Sequence, residues 1–100
     1  MTVTLINPFI VPAEMSDEEF LRRWHEASDR LTTMPGFIEA HFYRNTDDVD
    51  QTFRFVNVAL WESAESYRDA FDGPPQTPDD SAGVKFFPGL FQPAVNVEKS

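Results

Sequence analysis

The 100-residue chain has no cysteine, which excludes disulfides, thiolate nucleophiles and cysteine-ligated zinc or iron–sulfur centres. Any redox chemistry must come from elsewhere. Glycine is scarce too, with 4 residues, and none falls in a phosphate-cradling loop, a nucleophile elbow or a dinucleotide fingerprint. Positive charge is in deficit: 8 Lys and Arg stand against 17 Asp and Glu, for a net charge of −9. The resulting field repels nucleic acid and anionic lipid, so neither is an expected partner. No segment approaches the roughly 20 apolar residues of a membrane helix, and no basic run near Met1 leads into an apolar stretch. A soluble, intracellular, cytoplasmic protein is the expectation.

Apolar rings are abundant instead. Hydrophobic residues make up 41% of the chain and aromatic ones 14%, ten of them Phe. That is too apolar for disorder, and the length suits one domain, 1–100, with one compact core. Ring surface in such excess points to a cavity lining or an oligomer contact.

Residues Thr2 to Val11 alternate and predict a first strand with Val3, Leu5, Asn7, Phe9 and Val11 on one side. Ser16 three places before Glu19, with acids between, fits a capping box and starts a helix near Asp17. Phe20, Trp24, Ala27 and Leu31 form its apolar stripe, and Pro35-Gly36 ends it. Phe37 to Arg44 predicts a second strand with Ile38, Ala40 and Phe42 on one side, and Asx-rich turn residues follow. Thr52 to Trp61 predicts a third strand, apolar on both sides and joined to the second as a hairpin. Ser63 caps a second helix from Ala64 to about Asp72. Gly73 to Gly83 reads as a loop or lid, Phe86 to Phe91 as a buried apolar knot, and Ala94 to Val97 as a fourth strand. The order βαββαβ specifies a ferredoxin-like α+β fold, an antiparallel sheet with two helices on one face. The other face would be left apolar and open, and a second copy packed sheet to sheet would cover it as a homodimer.

The candidate chemistry lies between Asn57 and Tyr67. An amide, an indole and a phenol, Asn57, Trp61 and Tyr67, are neutral donors at i, i+4 and i+10 across a strand-to-helix junction. They suit an uncharged aromatic molecule better than an ester or a phosphate. Asn57 shares a predicted face with Phe53, Phe55, Ala59 and Trp61, where its amide needs a destination: the backbone, or a bound enol or phenol. Taken alone, Trp61 is more often a core anchor, and Tyr67 more often a helix-face residue with an exposed tip. Asn7 is a further polar group for the pocket or a ladder residue before Pro8. Phe53, Phe55, Phe71, Phe86 and Phe87 are the candidate apolar walls. His25, His41 and the acids of Asp47 to Asp50 lack ligand spacing, so no metal is expected.

The Met34-Pro35-Gly36-Phe37 segment, the Asn57 to Tyr67 block and the overall layout resemble the antibiotic-biosynthesis monooxygenase family, which are small dimeric α+β barrels. Within it, the pattern is similar to the cofactor-free anthrone monooxygenases, whose pocket asparagine, tryptophan and tyrosine fall on Asn57, Trp61 and Tyr67. The resemblance implies a monooxygenase that needs no cofactor and acts with O2 on an aromatic polyketide, anthrone or quinol. Asn57 and Trp61 would hydrogen-bond the developing oxyanion, and Tyr67 would orient the ring or relay a proton. That group's pocket arginine falls on Ser81 here, with Lys85, Arg44 or Arg54 as substitutes. A non-catalytic dimeric binding domain of the same fold is the alternative. The heme-degrading branch fits less well: Asn7 matches its asparagine, but its tryptophan falls on Ala70 and its heme-ligating histidine near Asp80.

Overall fold

A computed structural model describes residues 1–71 and 83–99. Strand β1, Val3–Ile10, leads to helix α1, Asp17–Ser28, and a short 3-10 turn at Leu31–Thr33. Then come β2, Phe37–Arg44, β3, Phe55–Trp61, and α2, Ala64–Ala70, before two short strands, β4, Lys85–Phe86, and β5, Gly89–Phe91. The sheet runs β2-β3-β1, with β4 and β5 one after the other along the free edge of β1. Every pairing is antiparallel. This is the ferredoxin-like α+β arrangement expected from the element order.

Local chemistry explains where the helices start. The Ser16 hydroxyl accepts the Glu19 N–H at 3.1 Å, and Asp17, Glu18 and Glu19 place negative charge in the first turn, against the positive end of the helix dipole. Glu19 reaches forward to Arg23 at 3.3 Å. At α2 both halves of a capping box form, with the Ser63 hydroxyl accepting from Ser66 N–H at 3.0 Å and Ser63 N–H donating to the Ser66 hydroxyl at 3.2 Å. Each cap ties down backbone donors that no helical carbonyl reaches.

Register brings the buried residues into cross-strand rows. Phe37, Trp61 and Val3 form one row, Ala40, Ala59 and Leu5 the next, and Phe42, Asn57 and Asn7 the third. Phe9 and Phe55 oppose each other in the fourth. Around these rows the core divides in two: Val3, Leu5, Leu31, Ala59 and Trp61, and Phe9, Met15, Phe20, Phe55 and Val84.

Several sequence expectations change. The register shifts by one residue between Phe37 and Glu39, so Phe37 turns toward Trp61 and Ile38 is left exposed, since one extra residue inverts the side-chain alternation. Strand β3 starts at Phe55, three residues later than predicted. Its buried residues lie on one face and the alternate positions are half-buried, so it is not sealed on both sides. The final strand is not Ala94 to Val97, which is irregular and exposed. The Phe86 to Phe91 segment supplies it instead. Rather than a buried knot, this segment is an edge with Phe87 50% and Phe91 51% exposed, broken where Pro88 has no N–H to donate. Helix α2 ends at Ala70. The predicted lid falls almost wholly outside the described residues. Among the described residues, no helix is long and apolar enough to cross a membrane.

Candidate functional site

Asn57 sits at the middle of β3, directly opposite Asn7 on β1 and Phe42 on β2. It is 3% exposed, and its side-chain oxygen is buried without a hydrogen-bond partner. Leaving such an atom unpaired costs about 1–3 kcal/mol. Folded interiors contain few of them, and each calls for an explanation. Amide oxygen and nitrogen exchange places by a half turn of the terminal torsion, so Asn57 can offer either an acceptor or a donor there. Asn7, its cross-strand neighbour, differs: its side-chain oxygen accepts the Phe87 N–H at 3.1 Å. That bond spans the break between β4 and β5 and gives Asn7 a structural task.

Trp61, at the end of the same face, has no exposed surface, and its indole N–H is also buried and unpartnered. Rings surround it: Phe37 at 5.4 Å, Tyr67 at 5.5 Å and Phe71 at 6.0 Å between centroids, all edge to face. Edge-to-face contacts match the positive ring edge to the negative face.

The start of α2 fixes this cluster. Gly36 adopts φ +87, and a Cβ there would collide with the Ser66 side chain; the Glu62 N–H then donates to the Gly36 carbonyl at 2.8 Å. The Pro-Gly-Phe and Trp-Glu-Ser segments therefore touch, one clamping the other. That contact orients Trp61 at the strand end and Tyr67 one turn into the helix. Tyr67 is half-buried, and desolvation holds its hydroxyl above the ordinary value of 10.0. The hydroxyl therefore stays protonated at neutral pH, as a donor rather than a base.

The proposed aromatic walls separate into groups. Phe71 lies 4.9 Å from Tyr67. Phe55 stacks with Phe20 at 5.1 Å and Phe42 at 5.3 Å, and Phe86 meets Phe9 at 6.2 Å. Phe53 pairs with Phe87 at 5.8 Å, and neither joins the buried clusters. Phe53 precedes the regular strand, so the β3 alternation does not carry it to the face of Asn57.

The substitute cations also sort themselves. Arg54 binds the Pro12 and Met15 carbonyls at 2.7 to 3.0 Å and Asp17 at 3.0 Å, so it braces the turn before α1. Arg44 lies over the Phe55 ring, 6.0 Å from its centre, and Lys85 is exposed on the edge. Ser81 lies outside the described residues. A residue that sequence reasoning missed is Arg23, whose Nε is buried without a partner although its terminal nitrogen meets Glu19 at 3.3 Å. Its place beside Trp24, on the flank of the apolar stripe, was the only available signal. Among the described residues, no group of three His, Asp or Glu could hold a metal ion.

Residues 2–77 match the family model for antibiotic biosynthesis monooxygenase. Among solved structures, a candidate monooxygenase from Shewanella loihica PV-4 is 28% identical, with a TM-score of 0.77 over 95% of this chain and 96% of that one. SnoaB, a cofactor-independent oxygenase from Streptomyces nogalater, is 24% identical with a TM-score of 0.76 over 98% of both chains. The heme-degrading protein Rv3592 from Mycobacterium tuberculosis is 24% identical, with a TM-score of 0.66 over 99% of this chain and 98% of that one. These last two likenesses establish the fold alone. No curated protein sequence matches the chain.

Proposed function

The chain belongs to the antibiotic biosynthesis monooxygenase family, and on that footing we propose that it is a cofactor-independent monooxygenase. Its substrate class is an electron-rich aromatic polyketide, anthrone or quinol, oxidised with O2. The observation that carries this reading is the pair of buried, unpartnered polar atoms on Asn57 and Trp61. They stand on one face of a strand, at the family's Asn, Trp, Tyr spacing. A core selected only for stability would have replaced or paired them.

An anthrone loses a proton from its methylene carbon and a quinol from its hydroxyl, and either becomes an anion that can give one electron to O2 and that shares the remaining spin with a ring carbon still bearing a hydrogen. The radical pair combines into a carbon–peroxide bond. Protonation and loss of water then leave a carbonyl at that carbon, with one oxygen atom in the product and one in the water. The protein's part is electrostatic. The Asn57 amide and Trp61 indole hydrogen-bond substrate oxygens as negative charge develops, in surroundings dry enough to strengthen those bonds. The protonated Tyr67 hydroxyl orients the ring or relays a proton, and Phe71 and Phe55 supply apolar walls.

The functional unit is a homodimer. Ile6, Ile38, Tyr43, Phe87 and Phe91 are exposed; Ile6 and Tyr43 lie on the sheet face away from the two core clusters, and a second sheet would cover them. Light scattering after size exclusion should give twice the chain mass.

Oxygen uptake by metal-free, flavin-free protein supplied with dithranol or a menaquinol tests the activity. Uptake well above the buffer rate is expected, reduced by Asn57→Ala and by Trp61→Phe with the dimer intact. Tight binding of such compounds without uptake would instead make the chain a sequestering domain. Loss of folding in both variants would return the pair to a structural role.

A further inference from the structure

The inner face of the sheet is uneven. The rows on either side of Asn57 and Trp61 carry rings, with Phe37 beside Trp61, Phe42 beside Asn57, and Phe55 opposite Phe9. Between them Ala40 and Ala59 oppose each other across β2 and β3, followed by Leu5 and Leu90 on β1 and β5. Two methyl groups thus lie where neighbouring rows carry aromatic rings. Ala59 is 2% exposed, so the row is covered at its centre, while Ala40 and Leu90 at its ends are half-buried.

Asn57 and Trp61 lie two residues to either side of Ala59 on the same face, with their unpartnered atoms buried. Four residues of extended strand separate their Cα atoms by about 13 Å. That is too far for a backbone group between them to serve both, since the strand's own amides are used in its ladders. A flat molecule lying across the alanines can donate a hydroxyl to the Asn57 amide oxygen and accept the Trp61 indole N–H with another oxygen.

We propose that Ala40 and Ala59 determine the size of the substrate, by leaving a floor low enough for a fused-ring molecule with oxygens on two edges to lie between Asn57 and Trp61. The inference rests on the proposed oxygenase site and adds the residues that select within the substrate class. The added methyls of valine at either alanine would rise into the space a third fused ring occupies. A shorter bicyclic molecule would keep one polar anchor and avoid the obstruction. Replacing Ala59 by glycine would lower the floor further.

Quenching of tryptophan fluorescence by 1,8-dihydroxyanthraquinone, tricyclic, and 5-hydroxy-1,4-naphthoquinone, bicyclic, measures this in the full chain. The parent protein is expected to bind both. Ala59→Val and Ala40→Val should weaken the tricyclic compound by about tenfold or more, roughly 1.4 kcal/mol, and change the bicyclic one by less than about threefold. Ala59→Gly should keep or raise the preference for the tricyclic compound. If Ala59→Val does not fold, the half-buried Ala40→Val and the smaller Ala59→Gly decide the matter. Folded valine variants that bind both compounds as the parent does, or lose both equally, overturn the role of the alanines and leave the site itself standing. A parent protein that binds neither overturns the site reading as well.

Discussion

The two halves of the buried core are built on opposite terms. Around Phe9, Phe20 and Phe55 the buried cluster is one of close-set rings, with Phe42 and Trp24 stacked 4.4 Å apart beside them. Toward Trp61 the same sheet holds an amide oxygen and an indole N–H with no partner, and two alanines where rings could stand. Both halves are packed, and the second differs in holding two buried polar atoms whose hydrogen bonds are not made. Incomplete satisfaction at one end, supported by dense packing at the other, is what a binding site needs. A ligand that paired the two atoms would recover the stability they forgo.

The contrast can be tested from both sides. Phe20→Ala, in the first half, should cost about 3–5 kcal/mol through lost burial and a cavity, read as a fall in the urea midpoint. A small cost would mean that this half is loosely packed. Asn57→Leu makes the sharper test. Turnover of dithranol should fall by about a hundredfold, the scale of losing one oxyanion donor, while stability holds or rises by about 1 kcal/mol because a buried unpaired oxygen is gone. A stability loss matching that of Phe20→Ala would show that the amide was structural.

Arg54→Gln should lower stability by about 2 kcal/mol, since it removes charge-assisted bonds to Pro12, Met15 and Asp17. Quinone affinity should not change, because the guanidinium is committed to the turn before α1. The smallest effect concerns Tyr67. Burial raises its pKa, so the folded state favours the protonated phenol. Its contribution is whole below the unfolded value near 10 and is lost as pH climbs through the folded value. Urea midpoints of the parent should drop as pH rises above about 10, and Tyr67→Phe should flatten that drop.

The elements from β1 to α2 and their order were legible from alternation, the Ser16 and Ser63 caps and the Pro35-Gly36 break, because these signals act within a few residues. Asn57, Trp61 and Tyr67 were legible as a motif, and the burial of the first two follows from β3 alternation. The bulge at Ile38 was not legible, since a one-residue shift depends on what the neighbouring strand offers. Nor was the choice of the 85–91 segment over Ala94 to Val97 as the final strand. Both are short and apolar, and only pairing with β1 separates them. Phe53 reads as a continuation of β3, yet it precedes the ladder and meets Phe87.

By itself, the sequence determined the fold class, a strongly acidic surface and the residue types available for chemistry, because propensity, period and charge are properties of short segments. Tertiary structure alone decided that the Asn7 side-chain oxygen is hydrogen-bonded while that of Asn57 is not, that Arg54 is engaged elsewhere, and that Ala40 faces Ala59. Each of those facts depends on which backbone groups and side chains are brought together from distant parts of the chain. Hydrogen bonds and packing are satisfied in space, where sequence separation has no bearing.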